Sequence, residues 1–200
     1  MKRKKRSRYS TGLSFYEDKA SPAKDRIIGL FYWGIYTGIA VFLAVVFFKC
    51  LGFRVSVLGS SMEPGIAEGQ NVLVNAVIYH IGSPERGEIV AFYPGGDEKM
   101  HPLVKRVVAI PGDSVQIVNG VLLVNGVPST WSDDSSGITE AGIAEDLIML
   151  GDNEYFVMGD NPEESEDSRS AGIGLVQDDT IIGRVWLALP AKGSGLHRPK

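Results

Sequence analysis

A mostly β domain carried behind one N-terminal transmembrane helix is the fold class that this sequence predicts. Three observations predict it. Ile27 to Phe48 is a run of 22 residues without a charge. After Cys50, short Val/Ile-rich segments alternate with Gly, Pro, Asn or Asp. No long amphipathic helical pattern follows them. Two hundred residues, 44% of them hydrophobic, suffice for one core and an appendage.

Residues 1–26 hold nine Lys/Arg against three Asp/Glu and few aliphatics, a composition that buries nothing; a basic, disordered cytoplasmic tail is expected. The remaining residues hold eleven basic against twenty-one acidic side chains, which argues against a nucleic-acid groove and leaves the basic head for a membrane surface. At about 1.5 Å per residue the apolar run reaches about 33 Å, enough to cross a bilayer, so residues 27–49 are expected to form a transmembrane helix. A cleaved signal peptide shares the basic-then-apolar layout, but this run is too long and Phe47-Phe48-Lys49-Cys50 offers no small-residue cleavage pattern. The excess of positive charge upstream places the N-terminus in the cytoplasm and residues 50–190 outside. Tyr32, Trp33 and Tyr36 suit an aromatic belt. A single cysteine, Cys50, excludes an intrachain disulfide and reads as a small apolar residue at a helix end.

Strands are expected at Phe53–Leu58, Asn71–Val77, Glu88–Tyr93, Leu103–Ile110, Ser114–Val118, Val121–Val124, Tyr155–Met158 and Ile181–Leu189. Asn119-Gly120 between two apolar segments predicts a two-residue type I′ hairpin, and Asn125-Gly126 a second turn. Residues 128–153 are acidic and weakly patterned, a loop or small insertion. Residues 191–200 read as a flexible tail.

Candidate chemistry begins at Leu58-Gly59-Ser60-Ser61-Met62-Glu63-Pro64, where a polar pair follows the alternating run Phe53–Leu58, and Ser61 reads as a nucleophile. A serine hydroxyl needs a neighbouring base. Nothing in the sequence ties His80, His101 or His197 to Ser61, and His197 lies in a ragged tail. A lysine serves only if burial and nearby positive charge lower its pKa. Lys105, in Leu103-Val104-Lys105-Arg106-Val107-Val108-Ala109-Ile110-Pro111-Gly112-Asp113, shares a strand face with Leu103 and Val107 and has Arg106 beside it. Its alternative reading is an edge lysine that guards against aggregation.

With Gly159-Asp160-Asn161 and Ser165-Glu166-Asp167-Ser168-Arg169 downstream, the order of these stretches behind an apolar segment resembles the type I signal peptidases over roughly residues 27 to 190. Those are serine proteases with a Ser/Lys dyad. The resemblance implies Ser61 as nucleophile, Lys105 as general base, Ser165 orienting the lysine, and Asp167 with Arg169 bracing the site. It implies the Ser61 amide as one oxyanion donor. The second, in some members a Ser hydroxyl two residues earlier, falls on Gly59, as in members of the Gram-positive type, which leaves Ser60 or water. Substrate would lie extended along Phe53–Gly59 and Pro102–Lys105, against Phe53, Val55, Val57, Pro102, Leu103 and Val104. The implied partners are exported preproteins with small residues before the cleavage site, and the lipid bilayer; the implied location is the cell membrane. No metal or organic cofactor is implied. Departures from the pattern are Gly65 after the Pro, Gln70 in place of an Asp, and Pro162-Glu163-Glu164, whose carboxylates are expected to face solvent. Two rivals remain: a soluble self-cleaving repressor of the LexA type, against which the apolar segment speaks, and an inactive membrane-anchored binding module of the same fold, against which the intact dyad positions speak.

Overall fold

The computed structural model describes residues 22–129, 131, 137–191 and 195–199. Most of the predicted basic tail, part of the 128–153 loop and part of the C-terminal tail therefore lie outside the described residues. The chain divides into two units, Met1–Ala44 and Val45–Lys200.

Helix α1 spans Pro22–Leu51. It starts before the uncharged run because proline, with its fixed φ and missing N–H, suits the first turn; residues 22–26 thus belong to the helix and not to the expected tail. Its stretch Arg26–Phe47 has a mean hydropathy of 2.0 and none of it is buried, so the helix is long and apolar enough to cross a membrane. Leu30 and Trp33 are each 71% exposed, a surface that water disfavours and lipid accepts.

The second unit is built on two antiparallel sheets. Strands β1 (Phe53–Ser56), β2 (Asn71–Asn75), β3 (Ile89–Phe92), β4 (Leu103–Ala109), β9 (Glu154–Met158), β10 (Val176–Gln177) and β11 (Ile181–Ala188) form a seven-stranded sheet in the order β1-β2-β11-β3-β4-β9-β10. Strands β5 (Ser114–Val118), β6 (Val121–Val124), β7 (Val127–Pro128) and β8 (Ile148–Met149) form a second sheet in the order β7-β6-β5-β8. The β5–β6 hairpin closes through Asn119 and Gly120 with φ of 51° and 75°, the positive pair that a type I′ turn requires.

Each predicted strand is present, most of them shortened at the ends. Strand β2 stops at Asn75 because the Asn75 side chain accepts from the Val77 N–H and a 3₁₀ turn follows at Ile78–His80. The two-residue strands β7, β8 and β10 carry too little pattern to be read. Residues 128–153 are more than an insertion: Ile138, Ala144 and Leu150 pack with Val115, Leu122 and Phe156 in a buried cluster. Likewise His197 is not ragged, since it forms a β-bridge with Ala188 and its Nε2 lies 2.9 Å from Gly65 O.

Two features of the large sheet matter for the site. Strand β1 is an edge. Strand β4 pairs with β3 from Leu103 to Arg106, but with β9 only from Arg106 onward, so Leu103–Lys105 has a strand on one side alone.

Candidate active site

Strand β1 delivers the chain into a tight loop. The Val57 N–H donates to Gln70 O at 2.9 Å and the Gly69 N–H to Val57 O at 2.9 Å, so the pairing outlasts the regular strand. Between these rungs the loop is held by Met62 and Ile66, both fully buried, and by the Ile66 N–H on Met62 O at 2.8 Å. Gln70 is fully buried as well; its amide donates to Leu189 O at 2.8 Å and accepts from the Ala67 N–H at 3.0 Å, a neutral clamp where an Asp was the expectation from the family pattern. The Glu63–Pro64 peptide is cis.

Ser61 sits on this loop at 7% exposure, and its carbonyl accepts from the Asn161 N–H at 3.0 Å. That contact requires Gly159, since a Cβ there would overlap both Ser61 O and Ser165 Oγ. Neither the Ser61 hydroxyl nor its backbone N–H has a hydrogen-bond partner among the described residues. Gly59 has φ of 75°, which disfavours any side chain there, and the neighbouring Ser60 hydroxyl is also unpartnered among the described residues.

Lys105 lies on the part of β4 that has a strand on one side alone, yet it is 3% exposed, so its side chain turns inward and does not guard a solvent edge. Its Nζ donates to Ser165 Oγ at 3.0 Å, and Ser165 Oγ donates to Asp167 Oδ2 at 2.7 Å. Asp167, wholly buried, accepts from Arg169 Nε at 2.8 Å and from the Gly159 N–H at 3.1 Å. Arg169 then reaches Pro162 O at 2.6 Å. A turn rather than an extended strand brings Asp167 and Arg169 together, closed by the Ser170 N–H on Asp167 O.

Burial pulls the Lys105 ammonium down to about 8; Asp167 opposes this, Arg169 adds to it, and Glu166 and Asp160 oppose it further. The expected like charge was Arg106, but Arg106 points to the other face, as the period-2 pattern requires, and is bound there in a two-pronged ion pair with Asp160, both contacts at 2.7 Å. The cation that acts on Lys105 is Arg169.

A cavity of about 180 Å³ is lined by Ser61 and Lys105, by Val57 and Leu58, by Pro102, Leu103 and Val104, and by Glu164 and Glu166. No histidine lines it; His101 Nδ1 lies 2.9 Å from Pro102 O, and His80 is exposed.

A buried amine and a hydroxyl unpartnered among the described residues thus stand around one small cavity, and the comparisons with known proteins give the family. The family described as signal peptidase, peptidase S26, matches residues 30–189. The chain is 34% identical to signal peptidase I P of Bacillus subtilis subsp. natto over 76% of its own length and 83% of that protein's. It is 33% identical to signal peptidase I of Bacillus licheniformis, over 84% and 90%. It belongs to the signal peptidase family. Signal peptidase IB of Staphylococcus aureus is 31% identical, over 78% and 87%. The crystal structure of a signal peptidase I from Enterococcus faecalis is 27% identical over 52% of this chain and 98% of its own, with a TM-score of 0.41.

Of the residues that the sequence of this signal peptidase family member singled out, Ser61, Lys105, Val57, Pro102, Leu103 and Val104 line the same cavity, and Ser165, Asp167 and Arg169 form the chain of contacts behind Lys105. Phe53 and Val55 do not line it: Val55 turns into the core at 3% exposure, and Phe53 lies outward two residues earlier. Sequence reasoning missed Asp160 as the partner of Arg106, Trp131, whose Nε1 donates to Gly159 O at 2.9 Å, and Glu166 on the cavity wall. Glu163 and Glu164 are exposed as expected, yet Glu164 borders the cavity. A Gly-Asp-Asn turn flags its own loop but carries no sign of a partner 54 residues away.

Proposed function

We propose that this signal peptidase family member is a membrane-anchored serine endopeptidase that removes signal peptides from exported preproteins, with Ser61 as nucleophile and Lys105 as general base. The observation that carries this reading is the pairing, around one cavity, of an unpartnered Ser61 hydroxyl with a buried lysine whose pKa is about 8. Near neutral pH a part of such a lysine is the free amine, which accepts a proton; an ordinary lysine is not.

Ser165 keeps that amine usable. Its own proton is committed to Asp167, so it accepts an N–H from Lys105 and leaves the amine lone pair for the Ser61 hydroxyl. Ser61 Oγ attacks the scissile carbonyl carbon as Lys105 takes its proton. The oxyanion meets the free Ser61 N–H, and the Ser60 hydroxyl or water supplies a second donor where Gly59 has none. Lys105 then protonates the leaving amine, and water, activated by the same lysine, hydrolyses the acyl-enzyme. The substrate adds as an extended strand at the free edges of β1 and of Leu103–Lys105, with its small side chains against Val57 and Val104. Helix α1 crosses the bilayer with the N-terminus cytoplasmic, and the β unit of residues 50–190 works on the outer side.

The deciding experiment is turnover of a purified exported precursor in detergent by the wild type and by Ser61→Ala. Cleavage at the signal-peptide junction by the wild type alone supports the reading; no cleavage of any precursor by the wild type returns the chain to a binding module of the same fold.

A further inference from the structure

The lining of the cavity that holds Ser61 and Lys105 is chemically mixed. Val57, Leu58, Pro102, Leu103 and Val104 give it an apolar part from two strand segments, and Glu164 and Glu166, from a separate loop, give it an acidic one. Both glutamates are exposed, and neither has an ion pair or hydrogen bond among the described residues, so their charge is not cancelled by a bonded partner. Glu164 and Glu166 also border a neighbouring hollow of about 750 Å³, which they share with Glu140 and Glu163. Among the described residues the one cation on that hollow is Arg169, and it is already bound to Asp167. The Ser61 hydroxyl, unpartnered among the described residues, therefore shares its cavity with apolar strand residues and with two carboxylates that carry no bonded counter-charge.

We propose that Glu164 and Glu166 are specificity-determining residues that read the charge of the substrate segment immediately after the scissile bond, favouring Lys or Arg there and disfavouring Asp or Glu. This rests on the peptidase reading above. The apolar lining suits the small side chains that precede the bond, which leaves the two carboxylates for the segment that follows it. Exposed carboxylates act on an incoming charge within about a Debye length, most strongly at low ionic strength, while a neutral side chain meets neither attraction nor repulsion. Lys105 offsets them only in part, because it is one cation against two carboxylates and burial lowers its pKa to about 8.

The test uses the full-length protein in detergent and three precursor peptides that differ only at the first two positions after the cleavage site, carrying Lys, Gln or Glu. The quantity read is the ratio of kcat/KM between the Lys and Glu peptides, from which any change in the general base cancels because both peptides meet the same enzyme at the same pH. At low ionic strength the wild type is expected to prefer the Lys peptide about tenfold, and Glu164→Gln/Glu166→Gln to bring that ratio close to one. Added salt should compress the wild-type ratio and leave that of the double variant unchanged. A ratio near one in the wild type, or an equal preference in wild type and double variant, overturns the inference while cleavage of the Gln peptide leaves the peptidase reading standing. Failure to cleave the Gln peptide overturns both. The same charges moved before the scissile bond should give a ratio near one; a tenfold effect there would overturn the assignment to the following segment.

Discussion

Lys105 Nζ and Ser165 Oγ lie 3.0 Å apart across sixty residues of sequence, and the hydroxyl donates its own hydrogen bond to Asp167 at 2.7 Å. This relay fixes where the amine points without consuming its lone pair. Ser165→Ala should therefore lower kcat by about 10- to 100-fold through misplacement of the base, with KM little changed, as steady-state cleavage of one precursor peptide would show.

Ser61→Ala and Lys105→Ala are each expected to lower kcat/KM by at least about 10³, and the double variant to lose little more, because the two groups act as one unit. Lys105→Arg should be nearly as damaging, since a guanidinium stays protonated and cannot accept the proton. Assays on purified variants with unchanged circular dichroism decide it; full turnover by either single variant ends the dyad.

The pH profile follows from the depressed lysine. The working form is the neutral amine, so kcat/KM should rise with pH through about 8. Glu166 opposes the depression, so Glu166→Gln should move the rise to lower pH. Stability carries the matching sign: between about 8 and about 10.4 the unfolded chain binds the proton that the folded chain has released, so Lys105 makes stability climb across that window. Lys105→Met should remove that climb in urea titrations run at a series of pH values.

Arg106 and Asp160 are both buried, and removing one charge strands the other. Asp160→Asn is expected to destabilise the β unit by about 3–5 kcal/mol, read as a shift of the urea midpoint at constant slope. A shift no larger than that of a surface substitution would show that water reaches Arg106.

Removal of residues 22–51 should move the protein from the carbonate-resistant membrane fraction to the soluble fraction, since this helix is the stretch long and apolar enough to span a bilayer among the described residues. Retention in membranes would assign the anchoring to the β unit.

Much of this arrangement was legible because its signals are local. Asn119-Gly120 announces a hairpin through backbone conformation alone, and the faces of β4 follow from its period of two, which separates Lys105 from Arg106. Partnerships across the fold were not legible. The Lys105–Ser165 and Arg106–Asp160 contacts depend on how β4 lies against the loop after β9, which no window of sequence encodes. Arg106 was therefore expected to act on Lys105, when in fact its charge is taken up by Asp160 and Arg169 fills that part. The same limit explains Val55: alternation shows that it shares a face with Val57, but not that the cavity begins only at Val57.

Trp131 hydrogen-bonds through its indole to Gly159 O, two residues before Asn161, whose backbone N–H holds the Ser61 carbonyl. The chain has three tryptophans; Trp33 lies in the apolar helix, and the Nε1 of Trp186 is buried without a partner among the described residues. With Trp33 and Trp186 replaced by Phe, the remaining indole becomes an intrinsic fluorophore wired to the loop behind the nucleophile. Its emission wavelength should then report the state of that loop, and a shift on adding unlabelled peptide to a variant that cannot turn it over would show that occupancy of the cavity reaches it.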